Sequence, residues 1–368
     1  MINKIKVEKF LNKYDITYSV DSGKNLTDIL RRCKASIEEI EIEEDADVGC
    51  ASYGGSYTFD QLDEKYNLNY PYFDAMYIDF KNDDTRFVYY GYQNELSIKT
   101  RDPNFDLEAF VAEKSKQLKV LGSVSPYCKD EMNCPGYLID SGKGKILLDC
   151  GFGSSGNMSF PEDIRDLNII ISHYHKDHYA DLFAILYAGL CHKSLGEEVS
   201  INIYIPETCD ENTVYDYELI KNNHDGAFKL HTYNEGSRLN ICGYSISFKK
   251  TVHSIENFSV CVENNNTKLV YSGDMGYYNI EEYSKFCRNA DVFICESTFL
   301  STDSNKSRYH LDAKEAAMIA KAANVRKLLL THTWPEHEKD LYLKEARSVY
   351  DKVYMAHEND VIKIETAR

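Results

Sequence analysis

No stretch of this chain approaches the roughly 18 consecutive apolar residues that a membrane-spanning helix needs. The first residues, Met1-Ile-Asn-Lys-Ile-Lys, are too polar for a secretory leader, so the expected location is the cytoplasm and no membrane partner is expected. There is no CxxC pair among the 11 cysteines, and their odd number argues against a disulfide framework. Cys261 and Cys295 lie inside apolar strand-like stretches, as reduced, buried thiols do. Basic residues are in short supply, with 42 Lys and Arg against 59 Asp and Glu, giving a net charge of -17. So acidic a surface repels phosphate backbones and gains little from counterion release, which makes long nucleic acid a poor partner. A small anionic substrate stays open, because bound metal ions invert the local charge. No internal repeat or low-complexity tract is present.

What is present is a globular composition, 43% hydrophobic and 27% charged, in a chain of 368 residues. That length suits two domains. The 29 tyrosines fall mostly in strand-like stretches and read as half-exposed sheet residues. The first region, residues 1–115, contains no histidine. Helices are expected around Lys6–Tyr14, Leu26–Ile40 and Phe105–Lys116. Strands are expected at Tyr72–Phe80, Arg86–Tyr92 and Leu96–Thr100, with a turn at Asn82-Asp83-Asp84. The acidic run Glu38–Asp47 reads as a solvated face or loop, since no Gly-turn ligand pattern for calcium accompanies it. The region is expected to be a small α+β domain without a catalytic constellation, available for substrate selection, dimerisation or partner binding.

The second region, 116–368, alternates strands and helices. Strands are expected at Leu118–Leu121, Gly136–Leu138, Lys145–Asp149, Asn168–Ser172, Ile201–Ile205, Ser245–Thr251, Ser259–Val262, Lys268–Tyr271, Asp291–Cys295, Arg326–Leu330 and Val361–Ile364. Asn264-Asn265-Asn266 suits a hairpin turn. Helices are expected at Tyr179–Leu190, Asp312–Ala323 and Leu341–Val349, with Asp312 as N-cap and Glu315 completing a capping box. Strands in two groups, each followed by helices, suggest two sheets flanked by helices.

The chemistry concentrates in His173-Tyr-His175-Lys-Asp177-His178, directly after a buried strand. In an extended chain His173 and His175 project to one side, and Asp177 and His178 open the following helix toward the same space. Imidazole and carboxylate are the ligands of a catalytic zinc ion. Four of them on one loop exceed the needs of a single open site and argue for two adjacent metals. His253, Asp274 and His332 each follow a strand as well, and Gly273 lets the backbone turn sharply before Asp274. As a set they read as ligands on rigid strand ends.

These residues resemble the HxHxDH signature and later motifs of the metallo-β-lactamase superfamily, over roughly Leu118 to Arg368. The resemblance implies an αββα sandwich, preceded here by the small α+β domain, with a two-metal site at one edge. It implies that His173, His175 and His253 hold one metal, that Asp177, His178 and His332 hold the other, and that Asp274 bridges them. Two Zn2+ are expected, with Mn2+ or Fe2+ also compatible with His/Asp ligation. A metal-bridging hydroxide is the implied nucleophile, and Asp177 belongs to the catalytic as well as the ligand set.

Two further segments narrow the branch. Cys295-Glu296-Ser-Thr298 and Tyr309-His310-Leu-Asp312-Ala313 resemble RNase Z-like phosphodiesterases, in which the matching Glu and His relay a proton to the leaving oxygen. The resemblance makes His310 the general acid and Glu296 its orienting partner. Departures exist: Cys295 stands where RNase Z has a His, and His310-Leu-Asp replaces His-Ser-Thr. Only twenty residues separate His253 from Asp274, where short RNase Z carries a tRNA-gripping arm. The pattern is therefore closer to small RNase Z-like phosphodiesterases, including phage anti-Pycsar enzymes that hydrolyse cyclic mononucleotides. The expected function is a di-zinc phosphodiesterase acting on a small phosphodiester, in a homodimer. A tRNA 3′-end endonuclease and a lactonase or thioesterase of the same superfamily are the alternatives.

Overall fold

The computed structural model describes residues 116–364 apart from 210, 212 and 223–227. Within 1–115 it describes 5–8, 16–21, 29–30, 33, 36–44, 53–57, 75–80, 85–90, 95–100, 105–107 and 110–111. The chain divides into two compact units, Met1–Lys116 and Gln117–Arg368.

The first unit carries β1 (Ile5–Glu8), β2 (Ile16–Asp21), β3 (Ile37–Glu44), β4 (Tyr53–Tyr57), β5 (Ala75–Phe80), β6 (Arg86–Tyr90) and β7 (Glu95–Thr100). They form one sheet in the order β1-β2-β7-β6-β5-β3-β4. Alternate residues Met76, Ile78 and Phe80, with Phe87, Tyr89 and Ile98, share a core with helical residues Ile29, Leu30, Cys33, Leu107 and Val111. Lys6–Glu8 is strand, not helix, because Lys6, Val7 and Glu8 pair with Ser19, Tyr18 and Thr17. The helix expected to reach Ile40 gives way to β3 at Ile37, and Lys116 is not helical. The acidic run is not a loop as far as Glu44: β3 is an inner strand, in which Glu38 faces solvent while Ile37 and Ile40 enter the core. Pairing with β5 and β4 overrides the polar composition. The Asn82–Asp84 turn and positions 45–47 lie outside the described residues.

The second unit contains β8 (Gln117–Gly122), β9 (Gly136–Asp140), β10 (Lys145–Cys150), β11 (Leu167–Ile170), β12 (Ile201–Pro206), β13 (Lys229–Tyr233), β14 (Arg238–Ile241), β15 (Tyr244–Lys250), β16 (Phe258–Glu263), β17 (Lys268–Tyr271), β18 (Val292–Glu296), β19 (Leu328–Thr331), β20 (Val353–Met355) and β21 (Val361–Lys363). Its helices are α1 (Lys176–Tyr179), α2 (Leu182–Ser194), α3 (Val214–Asn222), α4 (Ile280–Phe286), α5 (Ala313–Ala322) and α6 (Lys339–Arg347). One sheet runs β13-β12-β11-β10-β9-β8-β21 and the other β14-β15-β16-β17-β18-β19-β20.

Side-chain parity separates the layers. Val120, Ile139, Ile146, Leu148 and Ile170 of the first of these sheets meet Ile246, Val260, Val262, Leu269, Tyr271, Ile294 and Leu329 of the second. Their strand neighbours point the other way. Leu138, Leu147 and Ile169 pack on Leu182, Ile185 and Leu186 of α2, and Phe293, Cys295, Leu328 and Leu330 pack on α5 and on Tyr342 of α6. Strands buried on both faces explain why these segments read as continuous apolar runs. Each such side chain contributes about 1.5–3 kcal/mol on burial. The result is the αββα sandwich that the sequence led us to expect.

The helix expected over Tyr179–Leu190 is interrupted. Asp181 ends α1 by donating its backbone N–H to Cys150 and accepting from the Ser155 amide and hydroxyl at 2.9 and 2.7 Å. The capping box of α5 is present, Asp312 and Glu315 each accepting the other's backbone N–H at 2.9 Å. In the Asn264 turn that side chain accepts from Asn266 and Thr267 N–H, both at 2.9 Å. The ten described cysteines are all free thiols. No described helix is long and apolar enough to cross a membrane.

Candidate metal centre and active site

In the sandwich β10, β11, β12 and β13 run parallel, as do β17, β18, β19 and β20. Parallel strands bring their carboxyl ends to one edge, where open sheets host ligands. His173 follows β11, Asp274 follows β17, Glu296 ends β18 and His332 follows β19. The backbone bends hard there. Gly273 has φ 56°, and a Cβ on it would lie 2.8 Å from Asn257 Oδ1 and 2.9 Å from the Phe258 carbonyl oxygen. His332, at φ 54°, and Asp149, at φ 56°, adopt the same left-handed region without being glycine, which costs on the order of 1–3 kcal/mol each and clusters at functional sites.

The side chains converge as two sets. His173 Nε2 and His253 Nε2 lie 3.0 and 3.1 Å from His175 Nδ1, and 3.6 and 3.7 Å from Asp274 Oδ2. On the other side, His178 Nε2 and His332 Nε2 are 3.2 Å apart. They lie 3.4 and 3.1 Å from Asp274 Oδ1, and 3.6 and 3.7 Å from Asp177 Oδ2. Each set brings its ligand atoms within 4.8 Å of one another. Asp274, His310 and His332 form a third such grouping.

The arrangement fits divalent ions. Asp274 Oδ1 is buried, with no well-aligned hydrogen bond among the described residues and the ring nitrogens of His178 and His332 near it, a costly state for a carboxylate oxygen unless a cation neutralises it. Nitrogen and oxygen donors without thiolate suit zinc, manganese or iron(II). The second ring nitrogen of several histidines is also engaged, which fixes the tautomer as metal-ligand histidines require. His173 Nδ1 meets the Ser172 hydroxyl at 2.9 Å and His332 Nδ1 the Thr298 hydroxyl at 2.9 Å. His253 Nδ1 donates to the Tyr309 carbonyl at 3.2 Å, and His178 Nδ1 to Asp149 at 2.7 Å.

Burial, then His178, pushes His173 well below the ordinary histidine range, and burial, then His253, brings His175 down to about 4. Both are neutral imidazoles at pH 7, the ligating form. Burial opposes charge on His178 and His332 too, but Asp274 and Asp177 outweigh it and raise both, His332 to about 10. The carboxylates thus draw positive charge to this point, which a divalent ion also supplies.

Residues 145–333, just over half of the chain, match the family model described as the beta-lactamase superfamily domain. The chain belongs to the metallo-β-lactamase superfamily. Its relatives include the Bacillus subtilis protein named Probable metallo-hydrolase YhfI, 29% identical over 59% of this chain and 86% of that protein. The crystal structure of YhfI matches with a TM-score of 0.60 and 26% identity over 67% of this chain and 99% of that one. A Ribonuclease Z of Archaeoglobus fulgidus is 24% identical over 66% of this chain and 95% of its own length. Human tRNase Z, short form, shares the fold with a TM-score of 0.51 at 19% identity, covering 67% of this chain and 99% of that chain. As a member of this superfamily the chain is a metal-dependent hydrolase.

Beside the ligand sets of this metallo-β-lactamase fold stands the His310–Glu296 pair. Glu296 is fully buried and ties together several donors: Met275 N–H at 2.9 Å, Thr298 N–H at 3.1 Å, the Thr298 hydroxyl at 2.9 Å and His310 Nδ1 at 3.0 Å. Burial disfavours charge on His310, but Glu296 and then Asp274 more than offset it and raise its pKa above the ordinary value. A cavity of about 490 Å³ opens over the site, with Tyr174, His175, Asp177, Asp274 and His310 in its walls.

Sequence reasoning missed Asp149. Its carboxylate accepts from Ser172 N–H at 2.6 Å, the Ser172 hydroxyl at 2.7 Å, His178 at 2.7 Å and the Tyr271 hydroxyl at 2.7 Å. One signal was available: a carboxylate closing the apolar run Ile146-Leu147-Leu148. Ser125, which donates to Asp177 at 2.7 Å, had no such signal.

Proposed function

We propose that this hydrolase is a two-metal phosphodiesterase acting on a small phosphodiester such as a cyclic mononucleotide. In this reading His173, His175 and His253 hold one ion, Asp177, His178 and His332 hold the other, and Asp274 spans both, with zinc as the expected metal. Bound there, two divalent ions would supply a nucleophilic water at neutral pH and positive charge for the phosphoryl oxygens. The observation that carries the phosphodiester reading is the His310–Glu296 pair beside the shared Asp274.

An alkoxide leaves poorly without a proton, so the reaction needs a positioned acid. Glu296 accepts a hydrogen bond from His310 Nδ1–H, which leaves the Nε2–H of the protonated ring to deliver a proton to the leaving oxygen. Thr298 and Met275 hold the Glu296 carboxylate still, and Glu296 in turn orients the ring. The Ser125 hydroxyl does the same for Asp177. The cavity volume of about 490 Å³ falls in the range of roughly 300–1,000 Å³ typical of small-molecule sites.

A second reading, a tRNA 3′-end endonuclease, has support in the Ribonuclease Z relative. Against it stand the net charge of -17 and the plain hairpin of β16 and β17 in place of an arm. Cleavage of a precursor tRNA separates the two. The deciding experiment is turnover of bis-p-nitrophenyl phosphate and cyclic mononucleotides by metal-loaded protein. Hydrolysis is expected. Failure on all of them, with activity on a lactone or thioester instead, overturns the proposal.

A further inference from the structure

The cavity wall carries a carboxylate that the proposed chemistry does not use. Asp216, in the first turn of α3, lines the cavity with a side chain only 8% exposed. Its Oδ1 accepts from Lys176 Nζ at 3.1 Å and also from the Tyr179 hydroxyl. Among the described residues, none donates to Oδ2. An ionised carboxylate has acceptor sites on both oxygens, so Oδ2 remains able to accept from a ligand in the cavity. Lys176 likewise has three donors. Its hydrogen bond to Asp216 holds the ammonium beside the carboxylate, so the wall offers an acceptor and a donor side by side. Pro126, Tyr174 and Ile255 give the same cavity apolar surface, as a flat ring requires. A carboxylate repels phosphate, so Asp216 suits the uncharged part of an anionic substrate and works against a second anionic group.

We infer that Asp216, with Lys176, is a specificity determinant that hydrogen-bonds the donor–acceptor edge of a nucleobase while the phosphodiester occupies the metal centre. This rests on the phosphodiesterase reading and narrows its substrate class to cyclic mononucleotides whose base carries an N–H donor. The test compares kcat/KM for cyclic adenosine monophosphate and for the cyclic monophosphate of purine riboside, which lacks the exocyclic amine. It uses the full-length wild type, Asp216→Ala and Asp216→Asn, with metal content measured for each.

The wild type should favour the amine-bearing substrate about 10–100-fold, the scale of one hydrogen bond to a charged group. Both variants should bring that ratio toward one, mainly through KM, at unchanged metal content. Asp216→Asn keeps the shape of the side chain and decides the matter should Asp216→Ala not fold. Equal wild-type turnover of the two substrates, or a ratio that survives substitution, overturns this inference and leaves the phosphodiesterase standing. No turnover of either, with bis-p-nitrophenyl phosphate also untouched, removes both.

Discussion

The sheet of the first unit and the paired sheets of the second are each seven strands wide, yet among the described residues the candidate site lies in the second. Among the described residues of the first, every pairing is antiparallel, so neighbouring strands end at opposite edges and no described edge collects carboxyl ends. In the second, parallel runs stack them, and chain order then carries Asp149, His173, Asp274, Glu296 and His332 to one rim. All 11 histidines lie beyond residue 115. The difference shows that strand direction, more than sheet size or core quality, decides where convergent side chains become available. The first unit packs well by its own standard, with Phe80, Phe87 and Phe110 within 5.3 Å of one another by ring centroid.

Substitutions in the two units should therefore separate cleanly. The largest effect is expected from Asp274→Ala, which removes a carboxylate that faces both candidate ligand sets. Elemental analysis should find both ions lost, and turnover should fall to background. Retention of two ions would break the proposed sharing of Asp274. Next comes His310→Ala, expected to keep both ions yet lose about 10²–10⁴ in rate on substrates with an alkoxide leaving group. The loss should be much smaller on a nitrophenyl ester, whose leaving group departs without a proton. An emptied metal site in that variant would instead make His310 a ligand, in keeping with its grouping with Asp274 and His332.

Asp149→Asn should cost about 10–100-fold in metal affinity or activity, the usual penalty for disturbing a group that orients a ligand. It reads whether the His178 support is as important as its hydrogen bonds suggest. The smallest effect on the site is expected from Phe87→Ala in the first unit. That change should destabilise the unit by about 3–5 kcal/mol, visible in denaturant unfolding, with the metal content of the protein unchanged. Loss of metal would erase the contrast between the units.

Much of the second unit was legible in the sequence because its central strands are apolar on both faces and several of its candidate ligands cluster in sequence. His173 to His178 span six residues at the junction of loop and α1, and the parallel strands before Asp274 and His332 announce themselves as apolar runs. The strands β13, β14 and β20 were not legible. In β13, Lys229 and Thr232 face solvent and only Tyr233 is fully buried, so no period stands out. β14 buries only Ile241 fully, and β20 exposes Tyr354 between Val353 and Met355, so neither reads as an apolar run. The first unit misled because Lys6–Glu8 and Ile37–Glu44 take their state from partners distant in sequence. Asp149 was hidden because a single carboxylate after a strand looks like any polar stop, and its value lies in four donors brought from elsewhere in the chain. Asp216 was hidden for the same reason, since Tyr179 and Lys176 reach it only in the folded state.

Seven side chains on strand ends and one loop are proposed to form a two-ion centre. Elemental analysis of the freshly purified full-length protein tests it most directly. Two divalent ions per chain, falling to none in Asp274→Ala, is the predicted result. A wild-type chain that binds one ion or none under metal-replete conditions would contradict it.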